Sequence, residues 1–256
     1  AVSHFREAPP KAPAVRFFVA PAEKTSLRPW DFPVVSPNGE YLAFVAAAGQ
    51  GGGTLWVRPL QSLTAQTLPG TEGASAPFWS PDSRFIGFWA QGKLKKVEVS
   101  GGPPQTLGDA SFLTGGAWGP DGAIIFAGFP TGPLRRVAAA GGEAKPVTTL
   151  DASRQETLHS RPAFLPDGRH FLYHAAATQA ENSGVYVGSL DSKDTRRLVG
   201  GAGNAVYAAA ASGQGYLLFA RGDPLMAQPF DAKKLELSGE AFPIAERVAA
   251  GMGGMP

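Results

Sequence analysis

Polar side chains that could take part in chemistry are concentrated in one stretch of the chain, residues 149–162. This stretch contains Asp151, Arg154, Glu156, His159 and Arg161. Carboxylates and histidine can accept or donate protons, and arginine binds anions through its planar fork of donors. The stretch is long and polar, and connecting segments of this kind on a rigid framework are common binding sites. The sequence therefore indicates a candidate binding site here, with an ordinary solvated loop as the alternative.

Three residues in other connecting segments complete the candidate site. Glu72 lies in segment 69–76, Asp109 in segment 108–117 and Asn204 in segment 200–206. We expect these segments, together with residues 149–162, to lie at one mouth of a central channel, for reasons given below. The predicted partner is a protein or a small-molecule ligand.

The spacing of reactive residues argues against a catalytic, cofactor or metal site. Cysteine is absent from the chain, which excludes thiol catalysis and cysteine zinc ligands within it. His170 and His174 flank a predicted strand and would lie about 13 Å apart, too far to share one metal ion. Gly87 to Lys93 has the glycine and lysine spacing of a phosphate-binding loop, but Leu94 stands where serine or threonine is required. We therefore expect no enzymatic activity, no cofactor and no metal.

A turn phrase recurs four times, built around Pro-Asp in three copies and Pro-Asn in the first. It reads Val35-Ser36-Pro37-Asn38-Gly39, Trp79-Ser80-Pro81-Asp82-Ser83, Trp118-Gly119-Pro120-Asp121-Gly122 and Phe164-Leu165-Pro166-Asp167-Gly168. The prolines are 44, 39 and 46 residues apart, and a repeat of about 40 to 45 residues is typical of a β-propeller. Proline presets φ in a turn, and aspartate accepts local hydrogen bonds there. We therefore interpret Asp82, Asp121 and Asp167 as turn residues rather than metal ligands.

The composition agrees with a chain of many short strands. The 256 residues include 33 glycines and 23 prolines, which interrupt helices and form turns. The net charge is +2 and the basic residues are scattered, which argues against a nucleic-acid interface. No run of 18 apolar residues occurs, so the sequence predicts no membrane-spanning segment in this chain, although its parent could be membrane-anchored.

Each repeat unit is predicted to form one antiparallel, four-stranded blade. In the second unit, residues 84–90 are apolar at nearly every position, which indicates a strand covered on both faces by neighbouring blades. A fifth unit keeps the strands but lacks the turn phrase; its turn is expected at residues 212–215. The units span about 30–68, 74–107, 114–148, 160–198 and 204–246, within one domain at 15–248.

The fold prediction is an all-β propeller with five visible blades that form part of a six-bladed ring. Residues 15–20 are expected to supply a closing strand for a sixth blade, residues 1–14 to form a linker or stalk, and residues 249–256 to form a tail. Closure with five blades is the alternative.

Several phrases resemble a known family. Phe78-Trp79-Ser80-Pro81-Asp82-Ser83, the segment from Phe164 to Tyr173, and Gly184-Val185-Tyr186-Val187-Gly188-Ser189-Leu190-Asp191 resemble TolB-like, WD-like propeller repeats. More narrowly, they resemble the propeller that follows the kinase domain and a single membrane span in many bacterial receptor-type serine/threonine kinases. The resemblance covers roughly residues 15–248. The phosphate loop, His-Arg-Asp motif and Asp-Phe-Gly motif of a kinase are all absent from the sequence.

This resemblance implies an extracytoplasmic location, periplasmic or at the cell surface, and a sensor or interaction role without catalysis. A TolB-like periplasmic scaffold for protein interactions is the first alternative. A propeller that serves as an accessory domain of a serine peptidase is the second.

Overall fold

The computed structural model describes residues 24–27, 31–48, 52–111 and 114–246. Across these ranges the chain is all-β, and helical geometry is confined to two three-residue 3-10 turns, Ala152–Arg154 and Ala180–Asn182. None of the helical segments in the described part is long and apolar enough to cross a membrane. The predicted closing strand at residues 15–20, the linker at 1–14 and the tail at 249–256 lie outside the described residues.

The strands form five antiparallel sheets, one for each predicted unit. Blade 1 contains β1 (Ser26–Leu27), β2 (Val34–Val35), β3 (Tyr41–Ala47), β4 (Thr54–Pro59) and β5 (Gln66–Thr67). Blade 2 contains β6 (Ser75–Trp79), β7 (Phe85–Ala90), β8 (Lys93–Glu98) and β9 (Gln105–Asp109). Blade 3 contains β10 (Gly116–Trp118), β11 (Ala123–Phe126), β12 (Arg135–Ala138) and β13 (Lys145–Pro146).

The last two blades follow the same plan. Blade 4 contains β14 (Glu156–Phe164), β15 (His170–Ala177), β16 (Gly184–Ser189) and β17 (Arg196–Gly200). Blade 5 contains β18 (Ala205–Ala209), β19 (Gly215–Ala220), β20 (Leu225–Asp231), β21 (Glu236–Leu237) and β22 (Phe242–Ala245). Strands β1 and β2 both pair with β3, and β21 and β22 both pair with β20, so each blade keeps four strand positions.

The five blades are arranged as a β-propeller, with β2, β6, β10, β14 and β18 as the inner strands. Apolar side chains fill the space between consecutive blades, as the apolar second strands predicted. Buried side chains of consecutive blades belong to the same clusters: Val45 and Ile86, Leu94 and Phe126, Ile125 and Phe171, and Leu172 and Leu217. Each buried side chain of this size contributes about 1.5 to 3 kcal/mol, so interblade packing is the main source of stability.

Blades 2 and 3 approach closely because two glycines leave room for Phe78. A Cβ on Gly87 would lie 2.2 Å from the Phe78 ring, and a Cβ on Gly116 would lie 2.4 Å from it. Gly87 is therefore a packing residue in the middle of β7. Its spacing from Lys93 runs through a strand and a hairpin, as expected, and forms no phosphate loop.

The Pro-Asp phrases form turns at the ends of the inner strands. In the second turn, Ser80 Oγ accepts the N–H of Phe85 at 2.9 Å and donates to Asp82 Oδ1 at 2.5 Å. Asp82 also accepts the N–H of Arg84 at 3.1 Å, and the hydrogen bond from Ser80 lowers the pKa of Asp82. Two other turn aspartates accept backbone N–H groups in the same way: Ala123 to Asp121 at 3.0 Å and Arg169 to Asp167 at 2.9 Å.

A common hydrogen bond defines the first residue of each turn, whose carbonyl accepts the N–H three residues later. These first residues are Ser36, Ser80, Gly119, Leu165 and Ala210. Blade 5 therefore keeps the turn without the Pro-Asp phrase. Its turn begins at Ala210, two residues before the expected position, and the N–H of Ala210 donates to the carbonyl of Gln214. This alignment allows equivalent positions to be compared between blades.

Candidate functional site

Glu156 is at the centre of a buried polar network at the start of β14. Its side chain is 1% exposed. Oε1 accepts from Arg154 Nε at 3.0 Å, and Oε2 accepts from the N–H of Asp151 at 2.6 Å and from His159 Nε2 at 3.0 Å. Every polar neighbour of this carboxylate is a donor, so burial of its negative charge is fully compensated.

The hydrogen bonds of His159 assign its tautomer. The Glu156 carboxylate only accepts, so Nε2 carries a proton; in the neutral imidazole Nδ1 then accepts the hydroxyl proton of Thr148 at 2.8 Å. The Thr148 hydroxyl in turn accepts the N–H of Leu134 at 2.9 Å. Burial lowers the pKa of His159, although its hydrogen bond to Glu156 acts in the opposite direction. The imidazole is therefore neutral at pH 7.

Thr148, His159 and Glu156 are hydrogen-bonded in the same sequence as the hydroxyl, base and acid of a hydrolase triad. Here, however, the three side chains have a structural role. Thr148 is 6% exposed and its oxygen already accepts a backbone N–H, so no substrate can reach it. Thr71 of blade 1 has the same role, because its hydroxyl accepts the N–H of Leu55 at 3.0 Å and donates to the carbonyl of Leu68 at 2.6 Å. Each threonine follows the last strand of its blade, and its hydroxyl accepts a backbone N–H at the start of the third strand.

Arg154 and Asp151 complete the network. Asp151 caps the 3-10 turn at Ala152–Arg154 by accepting the N–H of Ser153 at 2.8 Å. Arg154 pairs with Asp151 at 2.7 Å and lies 5.2 Å above the ring of Tyr186. The side chains of Asp151, Arg154, Glu156 and His159 are therefore engaged with one another.

Arg161 lies two residues after His159 on the same strand, in a different environment. The pairing of β14 with β15 is interrupted by a bulge between Ser160 and Ala163, and Arg161 has φ 52. The inner strand of blade 2 has the same bulge, where Ala76 has φ 51. A left-handed conformation costs a non-glycine residue about 1 to 2 kcal/mol, so the bulge is an imposed feature of the inner strands.

The guanidinium of Arg161 has no partner among the described residues. Its side chain is half-buried, and within the described part of the chain no carboxylate, carbonyl or ring contacts the guanidinium. Burial lowers the pKa of Arg161. His174, which pairs with Ser160 across β14 and β15, is nearby: burial first, and then the charge of Arg161, lower the pKa of His174 to about 4.

Arg161 belongs to a set of equivalent positions that we call the mouth ring, four residues before the first turn residue of each blade. The mouth ring consists of Phe32, Ala76, Gly115, Arg161 and Val206. Inner strands of a propeller surround its central channel, so these residues lie at one mouth of it. Phe32 is 42% exposed and Val206 is 49% exposed. The ring therefore presents two exposed apolar side chains, two small residues and one cation.

The remaining predicted site residues are not members of this ring. Glu72 is on an exposed turn, where it accepts the N–H of Gly70 at 3.3 Å. Asp109 was expected in a connecting segment, but it is the last residue of β9 and forms an ion pair with Lys93. Asn204 directly precedes β18, and among the described residues its side chain has no hydrogen-bond partner.

The expected connecting segment 149–162 is also shorter than predicted. Strand β14 already begins at Glu156, because that residue pairs with Ala177 at the end of the long β15. Glu156, His159 and Arg161 are therefore strand residues. Spacing alone could not reveal the roles of Thr148, His174 or the mouth ring, although counting back from each turn phrase would have identified the ring positions.

A separate groove of about 470 Å³ lies between blades 1 and 2 at their turn end. Asn38, Tyr41, Asp82, Arg84 and Glu98 are among its lining residues. The inner strands run from the mouth ring to the turns, so this groove is at the opposite end of the blades. In the described part of the chain, no group of three histidine or carboxylate side chains is placed to hold a metal ion.

Comparisons with known proteins give a fold and no family. No protein-family model and no curated protein matches the chain. Among solved structures, TolB from Acinetobacter baumannii matches with a TM-score of 0.61 and 15% identity, over 82% of this chain and 55% of that one. A protein from Agrobacterium tumefaciens assigned as TolB matches with a TM-score of 0.60 and 15% identity, over 81% of this chain and 79% of that one.

An enzyme is also among the similar structures. A prolyl endopeptidase matches with a TM-score of 0.55 and 17% identity, over 88% of this chain and 36% of that one. The chain therefore spans about half the length of the Acinetobacter TolB and about a third of the endopeptidase. At such identities a likeness establishes architecture alone. The chain has a TolB-like β-propeller fold.

Proposed function

We propose that this chain is a non-catalytic binding propeller that recognises a protein or a small-molecule ligand at the mouth ring. The observation that carries this proposal is the half-buried Arg161, which has no partner among the described residues, on a ring of equivalent positions that also presents the exposed side chains of Phe32 and Val206. A concave site with apolar walls and a few convergent polar groups is typical of ligand recognition. The neighbouring polar network stabilises β14 and holds the site in place.

The wider context in which this propeller acts is also a proposal. Resemblance of its repeat phrases supports the extracytoplasmic sensor region of a bacterial receptor-type serine/threonine kinase. The fold likeness to TolB supports a periplasmic protein-interaction scaffold about equally well. The likeness to a prolyl endopeptidase supports, less directly, a role beside a hydrolase domain. The complete reading frame distinguishes these contexts: an upstream kinase and membrane span, a secretion signal, or an adjacent α/β-hydrolase domain, respectively.

Binding at the mouth ring can be tested by NMR on the ¹⁵N-labelled chain. The probes are N-acetylleucine, N-acetylleucinamide, N-acetyllysinamide and maltose, each titrated to about 10 mM because such fragments bind weakly. We expect at least one probe to shift the amide resonances of residues 114–116, 160–162 and 204–206 in a saturable way. Val206→Ser should weaken that binding, whereas Gln66→Ala, in the groove between blades 1 and 2, should not.

Two results would contradict the proposal. One is the absence of saturable shifts with every probe. The other is a set of shifts confined to the groove residues, such as Tyr41 and Arg84, at the opposite end of the blades.

A further inference from the structure

The bulges of blades 2 and 4 differ in how their polar groups are satisfied. In blade 2, Asp31 reaches across from blade 1, and its Oδ1 accepts from Ser75 Oγ at 2.6 Å and from the N–H of Ala76 at 2.7 Å. Asp31 stands five residues before the first turn residue of blade 1. An internal carboxylate therefore binds the bulge of the next blade.

Among the described residues, no carboxylate accepts a hydrogen bond from the bulge of blade 4. The residue equivalent to Asp31 in the preceding blade is Thr114, which is neutral, and its buried Oγ1 has no hydrogen-bond partner in the described part of the chain. The contact between the two blades is otherwise close, because a Cβ on Gly115 would lie 3.1 Å from Arg161 Cα. Blade 4 therefore combines a cation in its bulge with a neutral residue at the position that carries the carboxylate in blade 1.

An unpaired guanidinium at this depth is energetically unfavourable. Arginine is rarely buried without a partner, since loss of hydration must be offset by hydrogen bonds or an opposite charge. Thr114, Gly115 and His174 offer Arg161 no negative charge. A ligand that supplied one negative charge and two acceptor oxygens would satisfy the guanidinium bidentately.

We propose that Arg161 binds the carboxylate of a ligand whose apolar part rests against the exposed Val206 and Phe32 of the mouth ring. This inference rests on the proposed binding function and specifies its ligand class. A monoanion suits the site better than a phosphate dianion, because Arg161 is the single cation of the ring and His174 is neutral.

The experiment compares N-acetylleucine with N-acetylleucinamide, which differ in the carboxylate alone, on the wild-type chain and on Arg161→Gln. We expect the acid to bind at the mouth ring and the amide to bind at least about tenfold more weakly. Arg161→Gln should lower the affinity for N-acetylleucine by about tenfold or more, since a charge-assisted pair is lost. Arg169→Gln is the matched control, because Arg169 is exposed and pairs with Asp191 at the turn end.

A second readout shows whether the variant acts locally. Removing the positive charge of Arg161 should raise the pKa of His174, which can be followed through the imidazole resonances. The melting temperature of Arg161→Gln should not fall, because the substituted cation has no hydrogen-bond or ion-pair partner in the described part of the chain.

Two sources of such a carboxylate can be separated by further probes. A pentapeptide ending in leucine with a free carboxyl terminus, its amidated form and hexanoate are titrated in parallel. Tighter binding of the free peptide than of hexanoate supports the carboxyl terminus of a protein chain, and equal or tighter binding of hexanoate supports a small organic acid.

Equal binding of N-acetylleucine and its amide, or retained binding of the acid by Arg161→Gln, overturns the inference but leaves recognition at the mouth intact. Absence of binding by every probe overturns both.

Discussion

Arg154 and Arg161 are seven residues apart at the start of the fourth blade, and their surroundings are opposite. Arg154 donates to Glu156, pairs with Asp151 and covers the ring of Tyr186. Arg161 is half-buried and meets no acceptor among the described residues. A charged side chain that is fully paired belongs to the framework, whereas one that is buried and unpaired is available to a ligand.

The bulges of blades 2 and 4 differ in the same way, since one has an internal carboxylate partner and the other does not among the described residues. Asp31 satisfies the bulge of blade 2 from within the protein, and Thr114 leaves that of blade 4 without a carboxylate. The backbone geometry is repeated, with φ 51 at Ala76 and φ 52 at Arg161. A structural repeat thus becomes a specific site through the change of two side chains.

The largest change in stability is expected from removing the carboxylate that pairs with Arg154. Glu156→Ala should lower the free energy of unfolding by about 3 kcal/mol, because it leaves Arg154, His159 and the N–H of Asp151 without their shared acceptor. Glu156→Gln should also destabilise, since each neighbour of the carboxylate is a donor. Urea titration measures both, with the exposed Glu72→Ala as a control expected to change stability by less than about 0.5 kcal/mol. A loss below about 1 kcal/mol for Glu156→Ala would show that the network is not structural.

Acidification should act on the histidines beside the two arginines. The folded-state pKa values of His159 and His174 are lowered, that of His174 from 6.5 to about 4, so the unfolded chain binds protons first as pH falls. Their contribution to stability is therefore complete above about pH 6.5 and is lost progressively toward about pH 4. Unfolding free energies across this range should decline less steeply in His174→Gln. An unchanged slope in that variant would contradict the assignment.

A smaller loss is expected from the threonines that join blade ends to their third strands. Thr148→Val removes the acceptor of the Leu134 N–H and the donor to His159, and should cost about 1 to 3 kcal/mol. Thr71→Val should cost a similar amount, although no histidine is involved there. The exposed Thr106→Val serves as the control in the same chemical denaturation series. A much larger loss of unfolding free energy in Thr148→Val than in Thr71→Val would contradict the equivalence of the two threonines. It would show that the bond to His159 makes a large separate contribution.

The smallest effect on stability is expected at the unpaired arginine. Arg161→Gln should leave the free energy of unfolding within about 0.5 kcal/mol of the wild type or raise it, because no hydrogen bond or ion pair to a described residue is lost. Arg154→Gln should lower it by about 1 to 3 kcal/mol, because hydrogen bonds to charged groups are broken. A marked destabilisation by Arg161→Gln would mean that the guanidinium has a structural partner after all.

The fold could be predicted from sequence because its signals are local. The Pro-Asp turns, the apolar second strands and their regular spacing depend on neighbouring residues, and β7 at Phe85–Ala90 was expected at residues 84–90. The expected turn role of Asp82 is likewise visible in its bonds to Ser80 and Arg84.

The site was harder to predict because it depends on contacts between distant segments. Thr148 meets His159 only after blades 3 and 4 pack together, and the bulge that orients Arg161 arises from pairing with β15. Asp109 shows the same limit, since its pairing with Lys93 extends β9 into an expected connecting segment. Residue type indicated which side chains could bind, while packing determined which of them are already occupied.

The most direct test compares the two arginines in one titration. The Nε–Hε resonances of Arg154 and Arg161 are followed by NMR as N-acetylleucine is added to the wild-type chain. A saturable shift of the Arg161 resonance, with that of Arg154 unchanged, is the predicted result. A shift of Arg154 alone, equal shifts of both resonances, or no shift of either would contradict the assignment of Arg161 as the free cation of the binding site.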